Sequence, residues 1–188
     1  MEPMAIYQQA VDKTGRLVAG VKQEQMANPT PCRKFDSRAL INHIIGANYF
    51  FVAMQRGEKI DAGAPTPDFV GDNAAAAYQQ SAQAVLAMWQ TSGVMEQTFN
   101  FPGGMTMPGP EAFGVAMMET VIHGWDLARA TGQDATIDPA TAGTLLEGVR
   151  GKIPAELRGE DNMFAPEIPV PDDASVQDKL VAYLGRQP

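Results

Sequence analysis

The chain has a single cysteine, Cys32, among its 188 residues. No internal disulfide is possible, and a reducing compartment fits that usage. Basic residues are in the minority, 14 against 22 acidic ones, for a net charge of −8. An acidic surface repels phosphate backbones, and no Lys/Arg run offers a local exception, so no nucleic-acid partner is expected. No apolar run approaches the roughly 20 residues that cross a bilayer, so no membrane partner is expected either. The start, MEPMAIYQQAVDK, lacks a basic segment followed by an apolar one. A cytoplasmic location is the expectation. Phosphate-binding and nucleophile motifs are missing as well. GVRGKI does not have the Walker spacing, FPGGMTMPGP lies outside any strand–helix unit, and no G-x-S-x-G occurs.

What the chain does have is apolar helical periodicity. Hydrophobic residues make up 45% of it, enough for a real core. Over residues 3–26, Met4, Tyr7, Val11, Leu17, Val18 and Val21 recur at three-to-four spacing. NPTPCRKFD (28–36) interrupts with two prolines, and Asp36 is placed to cap a helix over about 37–56. After a loop at 57–69, alanines with Tyr78, Val85, Leu86 and Trp89 predict a helix over about 70–91. Residues 92–110 are rich in Gly and Pro and admit a short extended piece. A fourth helix, about 111–131, ends at Gly132, a natural C-cap. Asp138 and Pro139 open a short helix, 152–174 is proline-rich and irregular, and 175–186 closes the chain as an amphipathic helix. The expected fold is all-α, a four-helix bundle over about 3–132 with a C-terminal extension over about 133–188, forming a single domain.

The chemistry concentrates on the only two histidines. Glu119 precedes His123 by four residues, so the two share a helix face. His43 lies mid-way along the second helix, on a face with Leu40 and Ala47. In a bundle such inward polar groups build metal sites. His43, Glu119 and His123 with an open position would suit a divalent ion such as Zn²⁺, Ni²⁺ or Fe²⁺. Such a centre lowers the pKa of a bound water or thiol. A hydrogen-bonded core histidine and an exposed Glu–His pair are the plainer readings of the same residues. Burying Glu119 without a partner would be costly, which favours a cation. Asp126 could orient an imidazole or pair with Arg129. Trp125 reads first as packing, and Cys32 as a packed turn residue before the second helix.

Two stretches carry a resemblance. TPCRKFDSRALINH is similar to the TPC-x-x-W-[DS]-x-x-x-L-x-x-H pattern of the DinB/YfiT-like superfamily, in the members typified by the mycothiol-dependent maleylpyruvate isomerase N-terminal domain. ETVIHGWDLARATGQ resembles the E-x-x-x-H-x-W-D-L-A-x-A-x-G motif of the same family. The closing APEIPVPDDASVQDKLVAYLGRQP is similar to the tail of an actinobacterial subfamily. The resemblance implies a bundle with a divalent metal, Zn or Ni, held by His43, Glu119 and His123. It also implies a low-molecular-weight thiol cosubstrate, mycothiol or bacillithiol, whose thiolate adds to a small electrophile. The superfamily includes many dimers, so a homodimer is admitted. Two departures stand out. Phe35 replaces the usual Trp, and the chain is too short for the additional domain of the maleylpyruvate isomerase, which argues against maleylpyruvate isomerisation itself.

The expected activity is therefore metal-dependent thiol S-transfer or isomerisation, with Trp125, Phe50 or the 92–110 loop at the pocket mouth. The rival is a non-catalytic binding or regulatory module with a structural or vacant site. Asp126 as a fourth ligand would favour that rival, because structural sites fill every position with protein.

Overall fold

The structure is a computed structural model and describes residues 2–58, 60–61, 63–159, 162 and 164–188. Lys59, in the expected 57–69 loop, and Ala62 lie outside the described residues, as do Glu160, Asp161 and Met163 of the proline-rich segment. The chain forms two compact units, Met1–Gln133 and Asp134–Pro188.

The first unit is built on four helices. Helix α1, Pro3–Ala19, buries Tyr7, Val11, Thr14, Leu17 and Val18 along one stripe. It stops before the expected residue 26. A side chain at position 20 would meet the Gln133 amide oxygen at 2.3 Å, and Lys22 is already extended. A single 3-10 turn, Gln23–Gln25, then re-aims the chain. Helix α2, Ser37–Gln55, is capped as expected, with the Ala39 N–H donating to Asp36 Oδ1 at 2.8 Å. Helix α3, Ala74–Trp89, begins later than residue 70 because Asn73 supplies its cap, accepting from the Ala76 N–H at 3.0 Å. Helix α4, Gly109–Thr131, ends where Gly132 takes φ +69°.

Between α3 and α4 the Gly/Pro-rich connection holds a small hairpin. Strand β1, Thr98–Asn100, pairs antiparallel with β2, Thr106–Pro108, placing Phe99 opposite Met107. In the bundle α1 packs on α3 and α4, and α2 packs on the same two. The fold is thus all-α apart from the hairpin. One end of the core is aromatic. Trp89 stacks on Phe99 at 5.2 Å and meets Phe113 edge-on, while Tyr7 meets the other side of Phe113 at 5.3 Å. Toward the other end α1 and α4 come very close. A Cβ at Gly124 would sit 2.6 Å from Thr14 Oγ1, and Thr14 donates to the Thr120 carbonyl at 3.2 Å. A residue without a side chain is what allows that approach.

The second unit carries α5, Pro139–Val149, and α6, Val176–Tyr183, packed on each other. Asp138 and Ser175 cap them through the Thr141 and Asp178 N–H groups. Arg158 donates to the Tyr183 carbonyl at 2.8 Å and lies 4.5 Å over the Tyr183 ring, which organises the irregular stretch between the helices. Among the described residues no helix is long and apolar enough to cross a membrane.

Candidate metal centre

His43 and Glu119 are far apart in sequence, and the α2–α4 contact brings them together. His43 Nε2 lies 3.1 Å from Glu119 Oε2, and His123 Nε2 lies 3.2 Å from the same oxygen. The His43 and His123 rings stand perpendicular, with centroids 4.9 Å apart. Two ring nitrogens and a carboxylate oxygen therefore converge on one point. One ligand atom from each of the three residues falls within 4.8 Å of the others. Ions bound at about 2.0–2.3 Å need donors no farther apart than this.

Each donor is oriented by its surroundings. Asp126, fully buried, sits one turn after His123 with Oδ2 3.0 Å from His123 Nδ1. In the neutral ring, an Nδ1 proton donated to Asp126 would leave Nε2 as the ligand atom on the Glu119 side. Phe35 stacks on the His43 ring at 4.9 Å and 23°. An aromatic ring at position 35 thus lies flat against the His43 imidazole. Side-chain exposure falls from 37% at His43 through 30% at Glu119 to 10% at His123. The site is thus open on the α2 side and closed on the α4 side.

The electrostatics follow. Burial pushes the Glu119 carboxyl up, but the two imidazoles beside it outweigh that and hold it well below the usual carboxylate range. Burial likewise opposes charge on His123. The Glu119 carboxylate, helped by Asp126, overrides it and raises His123 to about 9. The metal-free pair is therefore an ion pair at neutral pH. A divalent cation held by these three donors would take over the role of that proton.

Beside Glu119 and His123 lies a cavity of about 10 Å³, room for about one water. Ile44, Ala47, Phe51 and Ala116 give it apolar walls, and Tyr7, Asn48 and Thr120 supply polar groups. Burial raises the Tyr7 hydroxyl to about 12, so it stays protonated.

The expected residues fare as follows. His43, Glu119 and His123 come together, and Asp126 joins them through His123. Arg129 stands 5.2 Å over the Trp125 ring. Trp125 is buried, and Phe50 sits against Phe101 at 6.0 Å. Neither is among the residues lining the cavity, where Phe51 takes the place foreseen for Phe50. Helical spacing marked Tyr7 only as an apolar-stripe residue and did not mark Asn48 or Thr120. Nor did it place Cys32, whose Sγ lies within 4.8 Å of donor atoms of His123 and Asp126. The TPC stretch was a signal for the turn, but not for what the turn touches.

Residues 7–128 match the model of the mycothiol maleylpyruvate isomerase N-terminal domain. The chain belongs to that family. The matched span of the mycothiol maleylpyruvate isomerase N-terminal domain family includes α2, most of α4, and His43, Glu119, His123 and Asp126. Two uncharacterised proteins of Mycobacterium tuberculosis, one from strain CDC 1551 / Oshkosh and one from strain ATCC 25618 / H37Rv, are each 33% identical to this chain over 186 residues. Each alignment covers 99% of this chain and 98% of the relative. No solved structure matches the chain.

Proposed function

We propose that the protein is a divalent-metal-dependent enzyme that uses a low-molecular-weight thiol of the mycothiol type, transferring the sulfur to a small electrophile or isomerising it. The observation that carries this reading is the convergence of His43 Nε2 and His123 Nε2 on one oxygen of Glu119. Membership of a family described by mycothiol chemistry supplies the thiol.

The donor set fits Zn²⁺ or Ni²⁺, with two imidazoles and one carboxylate. A divalent ion held there supplies a Lewis-acidic centre that favours the thiolate form of a sulfur ligand. The chain's own residues do the rest. Asp126 accepts the Nδ1 proton of His123 and fixes its tautomer. Glu119 brings the one negative charge among the three donors. Phe35 holds the His43 ring against rotation. The apolar walls from Ile44, Ala47, Phe51 and Ala116 limit water on the inner side, so substrate approaches from the more exposed His43 side.

Asp126 is not part of the His43–Glu119–His123 group. Three protein donors with a position left over suit a catalytic site better than a structural one. The test is consumption of an electrophile, a maleyl compound or a chlorinated arene, by metal-loaded protein with and without mycothiol. Turnover that needs both metal and thiol, and is lost in His43→Ala, supports the reading. No turnover with any thiol at full metal occupancy contradicts it.

A further inference from the structure

We propose that Cys32, His123 and Asp126 form a second, thiolate-bearing donor set for a soft divalent cation, and that it competes with the His43–Glu119–His123 set because both use His123. This donor set does not depend on the catalytic reading. Only the competition does.

The three donor atoms lie within 4.8 Å of one another. Cys32 is fixed there by its turn. Thr30 Oγ1 donates to the Cys32 carbonyl at 3.0 Å and to the Phe35 carbonyl at 2.8 Å, and the Phe35 N–H donates to the Cys32 carbonyl at 2.9 Å. The stretch leading into the turn is tied to the end of α4. Asn28 Nδ2 donates to the Ala130 carbonyl and Gln25 Nε2 to the Thr131 carbonyl, each at 2.9 Å. Cys32 is partly exposed, while His123 and Asp126 are buried, so an ion reaches the set from the thiol side.

The two sets differ in chemical character. One offers two nitrogens and an oxygen, the other a sulfur, a nitrogen and an oxygen, and thiolate selects softer ions. They address opposite edges of one ring. Asp126 stands at Nδ1 and Glu119 at Nε2. A neutral imidazole carries one proton. With an ion on Nε2, that proton rests on Nδ1 and is donated to Asp126. With an ion on Nδ1, it rests on Nε2 and is donated to Glu119, 3.2 Å away. Each tautomer has a carboxylate acceptor already in place, so the neutral ring serves either set. It does not serve both at once. Binding at the second set releases the Cys32 thiol proton together with the Nδ1 proton of the charged ring.

Cd²⁺ titration of the full reduced chain tests this, read by the near-ultraviolet sulfur-to-cadmium charge-transfer band. The wild type is expected to develop the band at one equivalent. His43→Ala, which spares the second set, keeps it. Cys32→Ser loses it. His123→Ala keeps the thiol but weakens Cd²⁺ binding by about tenfold or more. Preloading with Ni²⁺ weakens Cd²⁺ binding in the wild type. Cd²⁺ bound without the band overturns the proposal. So does a band lost in His43→Ala, which would make Cys32 an adjunct of the first set, or affinity unchanged in His123→Ala, which would leave a lone thiol. Simultaneous binding of Ni²⁺ and Cd²⁺ at full affinity removes the competition alone. A failure to bind Ni²⁺ at all bears on the catalytic reading and leaves the Cd²⁺ result readable.

Discussion

The two ends of the bundle interior share helix α4 and are built on different terms. At one end Trp89, Phe99, Phe113 and Tyr7 pack ring against ring, and α4 contributes Phe113. At the other end α4 contributes Glu119, His123 and Asp126, and α2 adds His43. The aromatic end is stabilised by the area it removes from water and tolerates changes that keep volume. The polar end holds charges whose desolvation is compensated only by one another or by a cation. Stability and function should therefore separate along α4.

Four perturbations sharpen that separation. The largest effect is expected from Phe113→Ala, a cavity between the Trp89 and Tyr7 rings that should cost about 3–5 kcal/mol of stability. Chemical denaturation measures it, and the surviving folded protein should bind metal with unchanged affinity. Asp126→Asn reverses the pattern. It should lower metal affinity about 10–100-fold through the orientation of His123, with calorimetric titration as the readout. Unchanged affinity would mean that the 3.0 Å contact does not orient the ring.

The third perturbation is pH. His123 is raised to about 9 in the metal-free fold, above its ordinary value of 6.5. Its contribution is fully present below about 6.5 and is lost as pH rises through about 9, so metal-free protein should lose stability across that window. Metal affinity should climb over the same window, because the ion displaces a proton. Thermal melts with and without Zn²⁺ would show the two trends diverging. Parallel trends would break the link between the ion pair and the metal. The smallest effect belongs to Arg129→Ala. Losing an exposed cation–π contact over Trp125 should cost about 0.5–1 kcal/mol. Metal affinity should stay as it was, since the His123 ring is held by Asp126 at 3.0 Å.

Much of this was legible in the sequence, and unevenly so. The caps at Asp36 and Asp138 and the stop at Gly132 are local chemistry, and local chemistry reads directly from residue order. The Glu119–His123 pair follows from helical spacing, and His43 from its position on an apolar face. Asp126 could be placed one turn beyond His123, but whether it faced inward or toward Arg129 depended on packing. Phe50 and Phe51 are neighbours in the chain, and only the α2 rotation set by α3 and α4 decides which one lines the cavity. Cys32, Tyr7 and Asn48 reach the site through contacts between distant segments, and no spacing rule encodes those. Helix α1 stops short of its apolar pattern for the same kind of reason, an approach by Gln133.

The most direct test of the metal centre is elemental analysis of the purified protein beside His123→Ala. The account predicts about one equivalent of a transition metal in the wild type, after incubation with Zn²⁺ or Ni²⁺, and its loss in the variant. A wild type that takes up no metal under those conditions would contradict it.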